Sequence, residues 1–240
     1  MLISVFYGTI YFQLDGGTDP SAYTNRLSIM FFSLMSIVVG LQATIPAMIE
    51  GRLVYYRERG SRAYGALPYW ISTWLIQVPM VAINTLVFSV LMYYLTGLNT
   101  SSTDKFVFFY FILLLCSYIG LFSCQLMATI APNAQTAISF FPILLFVSVA
   151  FSGYIVYIPQ FPVFLKSWAQ WISFLRYAFQ AIVLNEFEGN EKLPYEQLYL
   201  DSLGFTSLTK WECVPPLLAF FGFYAICVFL GLKFISFEDR

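Results

Sequence analysis

The sequence predicts an all-α, polytopic membrane protein with six transmembrane helices, the first of them truncated. Three observations carry that prediction. The 240 residues are 59% hydrophobic and only 10% charged, whereas a soluble domain needs about a quarter of its residues charged to cover its surface. Apolar runs long enough to cross a bilayer recur along the chain, with no charged residue inside except Lys233 at the end of the last; a helical crossing takes about 20 residues, because each rises ~1.5 Å through a core ~30 Å thick. Arginines crowd into a single stretch between two of these runs, which fixes an orientation.

Five runs are full length: 27–49, 67–95, 106–130, 137–158 and 213–235. A sixth, Leu2 to Leu14, is apolar but too short to span, and it lacks the basic start and small-residue cleavage site of a signal peptide. It is therefore expected to be a partial span, with the sequence opening partway through a first membrane helix. Pro46, Pro79, Pro142 and Gly120 fall inside runs; in a membrane bundle they kink helices without ending them, because neighbouring helices re-satisfy the freed carbonyls. The segment 50–66 holds Arg52, Arg57, Arg59 and Arg62. Cytoplasmic loops carry the excess of basic residues, so this segment is expected inside the cell. Alternation then puts loops 15–26 and 98–105 outside, together with the long segment 153–211. The link 132–136 and the tail from Lys233 return to the cytoplasm.

The external segment divides in two. Trp168, Trp171, Phe174, Tyr177 and Phe179 sit near Arg176, which suits a helix lying in the membrane interface or re-entering it. Asn185 to Lys210 is polar and acidic and is expected to form a solvated cap. On the predicted outer side, Asn99-Thr100-Ser101 is a glycosylation sequon close to the membrane.

Several functions are excluded or weakened by composition. A net charge of −1 argues against nucleic acid as a partner, because phosphate binding needs a clustered basic surface. Histidine is absent, which removes the commonest general base and metal ligand. The four cysteines show no metal-ligand spacing; three are expected to be buried, and Cys213 is the one expected to face an oxidising compartment. No G-x-x-x-x-G-K-[ST] run occurs, so nothing here cradles ATP phosphates in the usual loop. No carboxylate pair lies within a run where it could carry protons. No catalytic site and no metal site is therefore expected in this chain.

The most informative stretch is YYRERGSRAYGALPYW, Tyr55 to Trp70. Its arginines suit plain positive-inside anchoring, and on a continuing helix Glu58 can pair with Arg62 at i,i+4. The order of residues resembles the G subfamily of ABC exporters (the White and pleiotropic drug resistance type). That family has a cytoplasmic R-E-x-x-x-x-x-Y element after the second span, followed by a span with a central proline; Arg57, Glu58, Tyr64, Tyr69 and Pro79 fit it. AFSGYIV, Ala150 to Val156, is similar to the turn closing the family's fifth span. WISFLRYAFQAIVLNEFEG, Trp171 to Gly189, is similar to its re-entrant external segment, with R-Y-x-F-x-A and N-E-F in the same order.

The resemblance implies a membrane domain of six spans, paired with a second such half and with a nucleotide-binding domain absent from this chain, which would supply ATP and Mg. It implies a homo- or heterodimeric exporter of lipids, sterols or other amphipathic compounds, working by alternating access, with the plasma membrane as the expected location. Arg57, Glu58, Arg59 and Arg62 would couple it to the ATPase domain. Phe31, Phe32 and Ser36 would form one wall of the substrate cavity and Leu145 and Val149 the other, while Tyr154 and Ile155 would form an outer gate. Without the resemblance, Phe31 and Phe32 read as ordinary lipid-facing or packing residues. Two other functions remain open: an ATP-independent channel or carrier, weakened by the lack of ionisable groups within the spans, and a non-transporting scaffold subunit.

Overall fold

A computed structural model describes residues 2–14, 20–166, 168–190, 193, 195–205 and 208–235. Among these the regular structure is helical throughout. Hydrocarbon imposes this on a spanning chain, since it offers no partner for an unpaired backbone group. After α1 (Leu2–Ile10), α2 (Pro20–Gly40) passes through a 3-10 turn (Leu41–Thr44) into α3 (Ile45–Gly60), a helical stretch of 41 residues. The 3-10 turn sits against the proline that opens α3. Pro46 has no N–H for the α-helical ladder, and the tighter turn absorbs that break.

Next come α4 (Ala66–Thr96), α5 (Thr103–Ile130) and α6 (Ala134–Ala150). Polar side chains set their starts: Ser102 Oγ accepts from Asp104 N at the head of α5, and Asn133 Oδ1 accepts from Thr136 N at 2.9 Å at the head of α6. Each satisfies an N–H that the helix cannot. Four stretches are long and apolar enough to cross a membrane: Pro20–Gly60, Ala66–Thr96, Thr103–Ile130 and Val214–Phe234. The apolar run 137–158 does not stay helical to its end. It turns after Ala150, where Gly153 adopts φ +83° with Phe205 and Ile158 so close that a side chain there would crowd them. Both conditions favour glycine.

Beyond that turn lie a short 3-10 turn (Ile158–Gln160), α7 (Val163–Lys166), α8 (Ala169–Ile172), α9 (Phe174–Phe187), α10 (Glu196–Leu203) and α11 (Val214–Phe234). The predicted interfacial helix resolves into two unlike parts. Trp168 and Trp171 are exposed, whereas in α9 all residues except Leu184 are buried. A helix lying flat in the interface would keep one wet face, whereas α9 is buried in the bundle and packed on α2, α5, α6 and α11. Arg176 is carried inward with it, its guanidinium over the rings of Trp171 at 4.9 Å and Tyr177 at 5.3 Å.

The cap is less solvated than its composition suggests. Leu193, Leu203 and Phe205 are buried beneath it. Cys213 is buried too, its thiol donating to Thr209 O at 3.5 Å, so it does not face an outer compartment. Loop 15–26 is α2 from Pro20 onward; residues 15–19 lie outside the described set. At the centre of the bundle, α5 packs on α2, α3, α4, α9 and α11.

Candidate coupling elbow, buried ion pair and substrate-facing helices

The segment 50–66 is an elbow: the end of α3, a turn at Ser61–Gly65 and the start of α4. Its arginines divide into two pairs. Arg52 is buried, and its guanidinium donates to the carbonyls of Ala128 (2.5 Å), Thr129 (3.0 Å), Ala131 (2.8 Å) and Pro132 (3.3 Å). Arg59 donates to Leu232 O and Lys233 O, both at 3.0 Å. A helix leaves its last carbonyls unsatisfied and its C-terminus partly negative, so each arginine caps a neighbour, α5 and α11 respectively. Tyr55 reinforces the joint by stacking on Tyr69, centroids 4.4 Å apart.

The other pair points away from the bundle. Arg57 and Arg62 are exposed, with no side-chain partner among the described residues. Glu58 is half-buried and accepts a hydrogen bond from the Tyr64 hydroxyl. That carboxylate pushes the Tyr64 phenol up to about 12, because losing the proton would set two negative oxygens together. The expected Glu58–Arg62 pair does not form among the described residues. The helix ends at Gly60, and Arg62 takes a left-handed backbone, φ +60°, so the i,i+4 geometry is lost.

The substrate residues divide as well. Phe31 is 4% exposed and stacks on Tyr154 with centroids 4.3 Å apart at 17°, edge-on to Phe179. Leu145 is 7% exposed. Helical phase turns both inward within a single chain. Phe32 is half-buried and lies on Tyr7 at 5.6 Å, and Val149 is half-buried. Ser36 borders a 260 Å³ pocket with Thr85 and Ser117. The apolar residues that α6 leaves exposed are Phe140, Ile143, Phe146 (69%) and Val147. Tyr154 is held in place by its hydroxyl, 2.9 Å from Ser28 Oγ, and Ile155 is exposed.

Composition gave no sign of a buried ion pair at the opposite end of the bundle from the elbow. Arg26 on α2 donates from Nη1 to Glu186 Oε1 on α9 at 2.5 Å, the two side chains 0% and 3% exposed. Arg26 Nη2 reaches Leu14 O at 2.9 Å. Glu186 Oε2 accepts from Asn99 N at 2.8 Å, and Asn99 Nδ2 donates to Glu186 O at 3.2 Å. The sequon asparagine is therefore buried, with its amide committed, and its geometry does not suit glycosylation. The available signals were a lone arginine at the head of a span and the glutamate of the N-E-F element.

Four helical stretches long and apolar enough to cross a membrane, a buried helix packed among them and an arginine elbow tied to two helix ends define a polytopic helical membrane protein. Residues 1–187 match the family described as ABC-2 type transporter, and the chain belongs to that family. It is similar to ABC transporter G family member 2 of Dictyostelium discoideum, 27% identical over 100% of this chain and 20% of that protein. It is also similar to ABC transporter G family member 36 of Arabidopsis thaliana, 25% identical over 99% of this chain and 17% of that protein. With ABC transporter G family member STR2 of Petunia hybrida the identity is 26%, over 90% of this chain and 31% of that protein. The chain thus spans between about a sixth and a third of the length of these relatives.

Proposed function

We propose that the chain is the membrane-spanning half of an ATP-driven exporter of lipids, sterols or other amphipathic compounds. It works as a dimer by alternating access, most simply in the plasma membrane, with ATP and Mg bound by nucleotide-binding domains carried elsewhere in the assembly. The observation that carries this reading is the elbow. One of its faces is tied through Arg52 and Arg59 to the ends of α5 and α11, while Arg57 and Arg62 are exposed on the other, beside the half-buried Glu58 that Tyr64 holds. A push on the outward face is passed to two spans at once, as coupling by a packed two-ended joint requires. Cargo of low polarity suits the exposed apolar stripe of α6, Phe140 to Val147, together with the half-buried Phe32 and Ser36 of α2. Closing such a cavity lowers its affinity for cargo, so the energy of ATP enters through the relative stability of two states.

The test is Glu58→Ala in a complete transporter containing this chain. Cargo-stimulated ATP hydrolysis is expected to be lost with membrane insertion intact. Tyr64→Phe, which removes the same internal hydrogen bond but keeps the carboxylate, is expected to retain stimulation. Unchanged stimulation in Glu58→Ala contradicts the coupling role.

A further inference from the structure

A cleft of about 690 Å³ opens where α5 begins, between α9 and the residues that lead into α11. It lies at the end of α5 opposite the carbonyls that Arg52 caps. Its lower wall is apolar: Val107, Phe108, Phe111 and Trp211. Trp211 meets Phe108 edge-on at 4.9 Å, and Val107 and Trp211 are exposed on its flank. Its upper rim is charged, with Asp104, Lys105, Glu188 and Lys210. Lys210 is ion-paired with Glu188 and sits over the Phe108 ring at 5.9 Å. Lys105 lies 4.0 Å from the same carboxylate and donates to Asn185 O at 3.0 Å. Asp104 is exposed at the mouth.

We propose that this cleft binds the headgroup and upper chains of a zwitterionic glycerophospholipid. The argument rests on how charge and apolar surface are layered. The charged rim stands one turn along α5 from the aromatic wall, which matches the step from headgroup to acyl chain in a lipid whose tails stay in the bilayer. Two lysines and two carboxylates make the rim neutral overall, so an anionic headgroup gains nothing from the sum. A phosphodiester takes the lysines while an ammonium takes the carboxylates and an aromatic face. A sterol's single hydroxyl answers none of the four charges. The volume lies within the usual range for a small-molecule site, about 300–1,000 Å³. Only the leaflet rests on the exporter reading: with the elbow on the cytoplasmic side the cleft opens outward, away from the anionic lipids of the inner leaflet.

The test uses the purified chain in detergent without nucleotide, so it is blind to transport and its failure is separable from failure of the exporter reading. The probe is a phosphatidylcholine with a photoreactive group near the top of one acyl chain. Crosslinks are expected at Val107–Phe111 and Trp211, displaced about tenfold better by unlabelled phosphatidylcholine than by phosphatidylglycerol or cholesterol. Val107→Trp, which fills the cleft from an exposed position, is expected to cut the yield about tenfold with an unchanged elution profile. Asp104→Lys, also at an exposed position, is expected to turn the competition towards phosphatidylglycerol. Crosslinks elsewhere, a yield indifferent to Val107→Trp, displacement led by cholesterol or phosphatidylglycerol in the unmodified chain, or selectivity unchanged by Asp104→Lys overturns the proposal.

Discussion

Arg26 and Glu186 are 160 residues apart in sequence and form a buried ion pair that ties the head of α2 to the end of α9. The pair is completed by Leu14 O on one side and Asn99 N on the other. Removing one member strands the other charge away from water, which typically costs about 3–5 kcal/mol. Glu186→Ala is therefore expected to lower thermal stability in detergent by that order, and Glu186→Gln by less because it still accepts from Asn99 N. Melting curves of the two variants check the order.

The same pair makes stability depend on pH. Burial pushes the Glu186 carboxyl up to about 7 from an ordinary 4.5, against the pull of Arg26 and the Asn99 amide. The folded state therefore holds the proton more tightly than the unfolded state. The resulting stabilisation is fully present below about 4.5 and is lost as pH rises through about 7. Melting temperatures of the parent chain are expected to fall between pH 5 and pH 7.5 relative to those of Glu186→Gln, which has no such proton. Parallel slopes contradict it.

Phe31 and Tyr154 join α2 to the turn after α6. A double-mutant cycle with Phe31→Ala and Tyr154→Ala is expected to give a coupling of about 0.5–1.5 kcal/mol, the usual worth of an aromatic pair beyond its buried area. If Tyr154 acts as a gate, Tyr154→Ala also lets small polar probes reach Ser28, which labelling of Ser28→Cys reads directly.

Arg52 caps α5 with a planar fork that reaches four carbonyls. Arg52→Ala is expected to cost at least ~2 kcal/mol, since several charge-assisted hydrogen bonds are lost together. Arg52→Lys is expected to recover only part of this, because an ammonium lacks the fork. Equal stability of Arg52→Lys and the parent chain in chemical denaturation counts against the cap.

The spans were legible because hydrocarbon imposes a simple length rule. The runs 67–95, 106–130 and 213–235 lie within a few residues of α4, α5 and α11. Where the rule misled, local geometry had taken over: Gly153 ends α6 well before Ile158, and α2 and α3 carry helix past Arg52 as far as Gly60. Hydropathy also cannot tell a charge that faces water from one that meets a partner. Arg26, Arg52 and Arg176 all read as surface residues, and each is buried because a carboxylate, a row of carbonyls or a pair of rings receives it. The phase of α2 and α6 was equally hidden, since runs that are apolar all round give no sign that Phe31 and Leu145 turn inward while Phe146 turns out.

The central claim is that these helices cross a bilayer with the arginine elbow on the ATP side. Cysteine accessibility in intact cells tests it most directly, using Arg62→Cys at the elbow and Ser102→Cys at the head of α5, both at exposed positions. The native thiols at Cys116, Cys124 and Cys213 are buried, and Cys227 is half-buried. An impermeant maleimide is expected to label the Ser102→Cys protein at once and the Arg62→Cys protein only after the cells are permeabilised. Labelling of the Arg62→Cys protein in sealed cells, with the Ser102→Cys protein silent, reverses the topology and contradicts the exporter.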